Sequence, residues 1–185
     1  MKPPHLLALA ALALAPVSLA APAAAQTAPA PAAPAVWTSF TPPEGMFTAQ
    51  FPTTPQRSET PVAEGPGSPG KVFLFTSASP EGVFLAGWAA YEPNFKFDDQ
   101  AELAANRDNF VKGTEGKLLA SRAISLGGAP GLEFDVEKPG MWMGRARVYI
   151  LAGKPYQLIA INGGATLDAA KASKFFASFK PLPAR

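Results

Sequence analysis

The chain has no cysteine, and its single histidine, His5, stands among the first few residues. Beyond that point there is no thiol nucleophile, no imidazole to serve as the base of a catalytic triad, and neither of the side chains most used to hold zinc, copper or haem. Disulfides are excluded as well, and a domain of about 150 residues buries enough surface to be stable without them. An excess of one charge is also missing: 16 lysines and arginines face 14 aspartates and glutamates, interspersed along the chain. A near-neutral chain with no basic block is a poor partner for nucleic acid or for an anionic lipid surface. No internal repeat is visible, and no motif names a reaction.

What is present begins with an export signal. Lys2 and His5 precede LLALAALALAPVSLA, an apolar run too short for an ordinary membrane anchor but suited to the core of a secretory signal peptide. Ala23-Ala24-Ala25 offers small residues for cleavage before Gln26, with Ser18-Leu19-Ala20 as the competing site. No cysteine follows, which excludes a bacterial lipoprotein anchor. The expected organisation is a signal peptide over residues 1–25, an Ala/Pro-rich disordered spacer over 26–35, and one domain over 36–185, with a periplasmic or secreted location.

Within the domain, Gly127 to Ile161 has the alternation and turn chemistry of a three-stranded meander, its runs separated by Lys138-Pro139-Gly140-Met141 and by Gly153-Lys154. Pairing across residue 140 sets Glu133 opposite Arg147 and Asp135 opposite Arg145, and keeps Leu132, Phe134 and Val136 on the other face; a slip by one residue would set Phe134 against Arg145. For the second hairpin, a two-residue Gly153-Lys154 loop pairs Ala152 with Pro155 and Val148 with Ile159. Both faces of that hairpin are apolar: Val148, Ile150, Ile159 and Ile161 on one, Tyr149, Leu151, Tyr156 and Leu158 on the other. A hairpin of this kind is covered on both sides.

Upstream, Met46 to Phe51 reads as a strand stopped by Pro52. Residues 52–70 carry five prolines and three glycines and read as a mobile surface loop. Lys71–Ser77 and Val83–Tyr91 are strands joined across Ser79-Pro80-Glu81-Gly82. Asp98 or Asp99 caps a helix, with Glu102 in capping-box position after Asp99, a stripe of Leu103, Arg107, Phe110 and Val111, and Gly113 as the stop. Lys117 to Leu126 is another strand. Thr166 can cap a last helix whose Ala172, Phe175, Phe176 and Phe179 fall on one face. The tally is about seven strands and two helices, an α+β domain on a mainly antiparallel sheet.

Three segments carry a resemblance: Phe47-Thr48-Ala49-Gln50-Phe51-Pro52, Lys154-Pro155-Tyr156-Gln157-Leu158 and Lys174-Phe175-Phe176-Ala177-Ser178-Phe179. Together they resemble the PsbP/Mog1-like domains, an α-β-α sandwich whose members include photosystem II accessory subunits, a Ran-binding protein and many exported bacterial proteins. The resemblance implies a non-catalytic domain that docks on partners. No contact residue of those relatives matches a position here.

The remaining chemistry is carboxylate chemistry. Glu133, Asp135 and Glu137 share a strand face, which suits a glycosidase-like pair or a hard cation. The plainer reading is a charge ladder with Arg145 and Arg147, each pair contributing about 0.2 to 1 kcal/mol, so that replacing both arginines would cost little. Asp98-Asp99 is a helix cap rather than a calcium site. Gly127-Gly128 leads into a strand and is a turn, while Gly163-Gly164 precedes a helix and could face an anion. Trp37 and Trp88 read as packing, and Trp142, between Met141 and Met143 at a hairpin tip, as an exposed contact for a membrane or partner. No catalytic, cofactor or metal residue is assigned. The expected function is an exported, non-catalytic interaction or accessory module acting on a protein or envelope component. The alternatives are a carboxylate-based hydrolase and a carrier of a small apolar ligand held between sheet and helix.

Overall fold

The computed structural model describes residues 36–60, 70–91 and 95–183, so the expected signal peptide and spacer lie outside the described residues. In chain order the elements are β1 (Thr38–Phe40), β2 (Phe47–Phe51), β3 (Gln56–Thr60), β4 (Lys71–Ser79), β5 (Gly82–Ala90), α1 (Asp99–Gly113), β6 (Lys117–Leu126), β7 (Ala129–Lys138), β8 (Trp142–Leu151), β9 (Lys154–Gly163), α2 (Ala169–Ser178) and β10 (Lys180–Pro181). Seven strands form one sheet in the order β3-β4-β5-β9-β8-β7-β6, every neighbouring pair antiparallel. A second sheet, β1-β2-β10, lies with α2 over one face, and α1 packs on β7 and β8 from the other. The architecture is the expected α+β sandwich.

The β7–β8 register is the one chosen to keep charges with charges: Glu133 faces Arg147, Asp135 faces Arg145, and Phe134 faces Ala146. The β8–β9 register differs from expectation by two residues. Leu151 pairs with Lys154 and Val148 with Gln157, and the loop is Ala152-Gly153 rather than Gly153-Lys154. Both loop residues have positive φ, 49° and 71°. Such a turn matches the twist of the flanking strands better than one with a single left-handed residue, and an alanine tolerates it here. Because the shift is even, each side chain stays on the face assigned to it.

Other differences are local. Residues 52–70 contain β3, which pairs with β4 although its Gln-Arg-Ser-Glu-Thr sequence has no apolar signal; it is an edge strand. After α2 the chain adds β10 to the edge of β2, Lys180 pairing with Thr48 and Pro181 with Phe47. The cap of α1 is Asp98, whose carboxylate accepts from the Ala101 N–H at 2.8 Å, and Glu102 turns into the core instead of back to the cap. The buried side of α1 is Glu102, Leu103, Asn106 and Phe110, while Arg107 bonds to Asp108 at the surface. Asp168, not Thr166, caps α2, accepting from the Lys171 N–H at 3.0 Å. Trp142 is buried against Phe110, and its neighbour Met141 is the exposed residue of the tip at 60 %.

Candidate functional site

Two places on the sheet hold groups with chemical potential, one on each face. On the α2 face, past the end of the helix, Glu133 stands on the central strand of β6-β7-β8 with an arginine on either side. Arg122 on β6 donates to its Oε1 at 2.8 Å, and Arg147 on β8 donates to its Oε2 at 2.6 Å. Arg145 forks onto Asp135 at 2.6 and 2.8 Å and lies 3.9 Å from Glu133. Glu137 takes Lys117 at 3.3 Å. Arg147 also lies over the Phe176 ring at 4.6 Å, which ties the ladder to α2.

Glu133 is only 3 % exposed. Burial works to raise its carboxyl, but the hydrogen bonds from Arg147 and Arg122 outweigh that and hold it below the usual carboxylate range. A carboxylate held ionised between guanidinium groups cannot supply a proton near neutral pH, and its lone pairs are already directed at donors. The sequence picture of this face was right about Arg145 and Arg147 and missed Arg122. Its place depends on a bulge in β6 between Leu118 and Ala120, which shifts the register so that Arg122 meets Glu133. Among the described residues, no group of three acidic, histidine or cysteine side chains is placed to hold a metal.

On the α1 face the chemistry is different. A cavity of about 300 Å³ lies between the sheet and the C-terminal half of α1. Its floor is aliphatic, with Val72, Leu74, Leu85 and Ile159 drawn from β4, β5 and β9, and its wall includes Phe110 and Trp142. Gly87 on β5 has no side chain and Leu74 leans over it, close enough that an added Cβ would sit 2.8 Å from the Leu74 Cδ2. Gly144 on β8 does the same under Trp142 and Ile161. The rim is polar: Lys138 and Glu115 pair across it at 3.1 Å, with Thr114 between the helix end and the mouth.

One amide breaks the apolar floor. Gln157 on β9 donates to Asn106 Oδ1 at 2.8 Å; Asn106 donates to Glu102 Oε1 at 2.7 Å; and the Tyr91 hydroxyl donates to the same oxygen at 2.5 Å. Burial is the main cause that pushes the Glu102 carboxyl up, and the donors from Tyr91 and Asn106 offset only part of it. Burial, with the Glu102 carboxyl beside it, also pushes the Tyr91 hydroxyl far up, so it remains a donor. Glu102 and Asn106 were missed because the helix stripe was drawn through Arg107. Their spacing of four, continued to Phe110, was the available sign that polar groups face inward. Asp98 caps α1 with Asp99 in its first turn, Gly127-Gly128 is a two-residue turn with φ of 58° and 84°, and the Gly164 N–H is taken by the Met141 carbonyl at 2.9 Å.

No model of a known protein family matches the chain, and no curated protein does so. Among solved structures the chain is similar to cyanobacterial PsbP (CyanoP) from Synechocystis sp. PCC 6803, with a TM-score of 0.51 and 11 % sequence identity, over 84 % of this chain and 98 % of that one. The fold is PsbP-like. At that identity the likeness concerns the path of the backbone, and it agrees with the resemblance carried by the segments at Phe47, Lys154 and Lys174.

Proposed function

We propose that the chain is an exported, non-catalytic accessory module of the cell envelope that works by binding, with the cavity between the sheet and α1 as its site. The observation that carries this reading is the contrast in availability between the two faces. The carboxylates of the ladder are committed to arginine or lysine partners, whereas the cavity offers open volume behind an apolar floor, the usual form of a small-molecule site. Export rests on the N-terminal sequence, with residues 1–25 removed and 26–35 as a spacer.

Three measurements test this. The intact mass of protein from the native host is expected to correspond to a chain beginning at Gln26; a chain retaining residues 1–20 would sink the export claim. A thermal-shift screen against amphiphiles, sugars and divalent cations is expected to show stabilisation by members of the first class. Glycoside turnover that disappears in Glu133→Gln would transfer the function to the ladder and make the protein a hydrolase.

A further inference from the structure

The cavity's dimensions and rim say what it takes. We infer that its ligand is a single linear hydrocarbon chain of roughly ten to twelve carbons ending in an anionic, carboxylate-like head, a deepening that rests on the cavity being the binding site. The volume argument starts from a dry apolar cavity of about 150 Å³, which holds benzene. About 300 Å³ is twice that, hence room for about twelve carbon atoms. The shape argument comes from the strand order. Lining residues run from Val72 on β4 through Leu85 on β5 and Ile159 on β9 to Trp142 on β8, four adjacent strands. Val72 and Trp142 are about 14 Å apart across the sheet at the usual inter-strand spacing, and they are also displaced along the strands, Val72 standing opposite Ala89 of β5 and Trp142 opposite Gly163 of β9, so the lining is drawn out on a diagonal rather than gathered round one point.

The head is assigned by the rim. Lys138 and Glu115 are the charged lining residues, and their exposures differ: the Lys138 side chain is 29 % exposed and that of Glu115 is 81 %. The lysine is the fixed charge at the mouth and the glutamate a solvated partner that a ligand can displace at small cost, because an ion pair of that exposure is worth little. Thr114 and the exposed Met141 complete the mouth on either side. Gln157 contributes differently. One of its two side-chain N–H groups is donated to Asn106, so within an otherwise apolar floor it presents an amide held in one orientation by the buried chain back to Tyr91. A chain laid along the trough passes over it.

The experiment is titration calorimetry on protein purified from cells expressing the full chain, with dodecanoate, hexanoate, dodecyltrimethylammonium and naphthalene-2-sulfonate as probes, all below micelle formation. Dodecanoate is expected to bind one to one and at least about tenfold more tightly than hexanoate, since each buried methylene adds to affinity. It should also bind more tightly than the dodecyl cation. Lys138→Gln should weaken dodecanoate by roughly two- to fivefold and narrow its advantage over the cation. Leu74→Phe and Val83→Phe, which fill the trough from two strands, should each weaken it by about tenfold or more, provided that their thermal unfolding remains cooperative near the wild-type midpoint. Equal affinity for dodecanoate and hexanoate, or a preference for the cation, overturns the ligand assignment. Binding of the naphthalene anion that is lost in the filled variants, with no binding of dodecanoate, overturns it too while leaving the cavity as the site. Failure of every probe to bind overturns both.

Discussion

On the α2 face of the seven-stranded sheet Phe84 and Phe175 are almost wholly buried, their ring centroids 5.4 Å apart, and Phe175 meets Phe51 of the small sheet at the same spacing. On the α1 face the same strands present Val72, Leu74, Leu85 and Ile159 to a cavity. Each face also buries one glutamate, and the two are treated in opposite ways: Glu133 is held ionised between arginines, while Glu102 is pushed toward its neutral form by burial. Interlocked aromatic rings leave little free volume, and a charge within such a layer persists only with its partners. A face covered by one helix over part of its width keeps room for something else, and neutral polar groups can be buried there at the cost of a hydrogen-bond chain.

The largest test of this contrast is a matched pair of truncations. Phe175→Ala, in the filled layer, is expected to cost about 3 to 5 kcal/mol, because the transferred surface and the cavity left behind both count. Leu74→Ala, half-buried beside space that already exists, should cost less than about 2 kcal/mol. Urea unfolding midpoints decide it, and equal losses would mean that the two faces are packed alike.

Next in size is the ladder. Glu133→Ala leaves Arg122, Arg145 and Arg147 without their shared carboxylate and should cost about 2 to 3 kcal/mol. The double variant Arg145→Gln with Arg147→Gln leaves a buried carboxylate with Arg122 alone, and about 1 to 2 kcal/mol is expected. Sequence alone makes that double variant cost little, with each pair contributing about 0.2 to 1 kcal/mol and less where it is exposed. Salt separates the two pictures: a loss that vanishes in high salt belongs to exposed pairs, and one that persists belongs to a buried carboxylate.

What could be read in advance followed from alternation and charge. The faces of β8 and β9 were legible because their side chains alternate between two apolar sets, and the β7–β8 register because only one slip kept Glu133 and Asp135 with arginines. The β8–β9 register differs from expectation by two residues because Ala152, a residue with a Cβ, holds positive φ beside Gly153. β3 was hidden by a sequence with no apolar pattern, as suits an edge strand paired on one side. The cavity was legible only as a possibility between sheet and helix. Its volume depends on which side chains of four strands and a helix come together, and that is a property of the tertiary register.

The smallest effect, and the one that compares the two glutamates directly, is the pH dependence of stability. For Glu133 the folded value is depressed, so its contribution is present above the unfolded carboxyl pKa of about 4.3 and is lost as pH falls through the folded value. For Glu102 the folded value is raised, so the folded state holds a proton that the unfolded chain has released. Its contribution is present below about 4.3 and is lost as pH rises through the folded value. The groups facing Glu102 are Tyr91 and Asn106, and neither changes charge in that window, the tyrosine because it too is pushed up. Glu102→Gln should therefore remove a gentle decline in stability on the alkaline side of the carboxyl range, while Glu133→Gln should remove a loss on the acid side. Urea midpoints for wild type and both variants between about pH 3 and 8 show the two differences with opposite sign. If the Glu102→Gln curve stays parallel to wild type above about pH 4.3, Glu102 titrates as an ordinary carboxyl. The α1 face would then bury a charge, as the α2 face does.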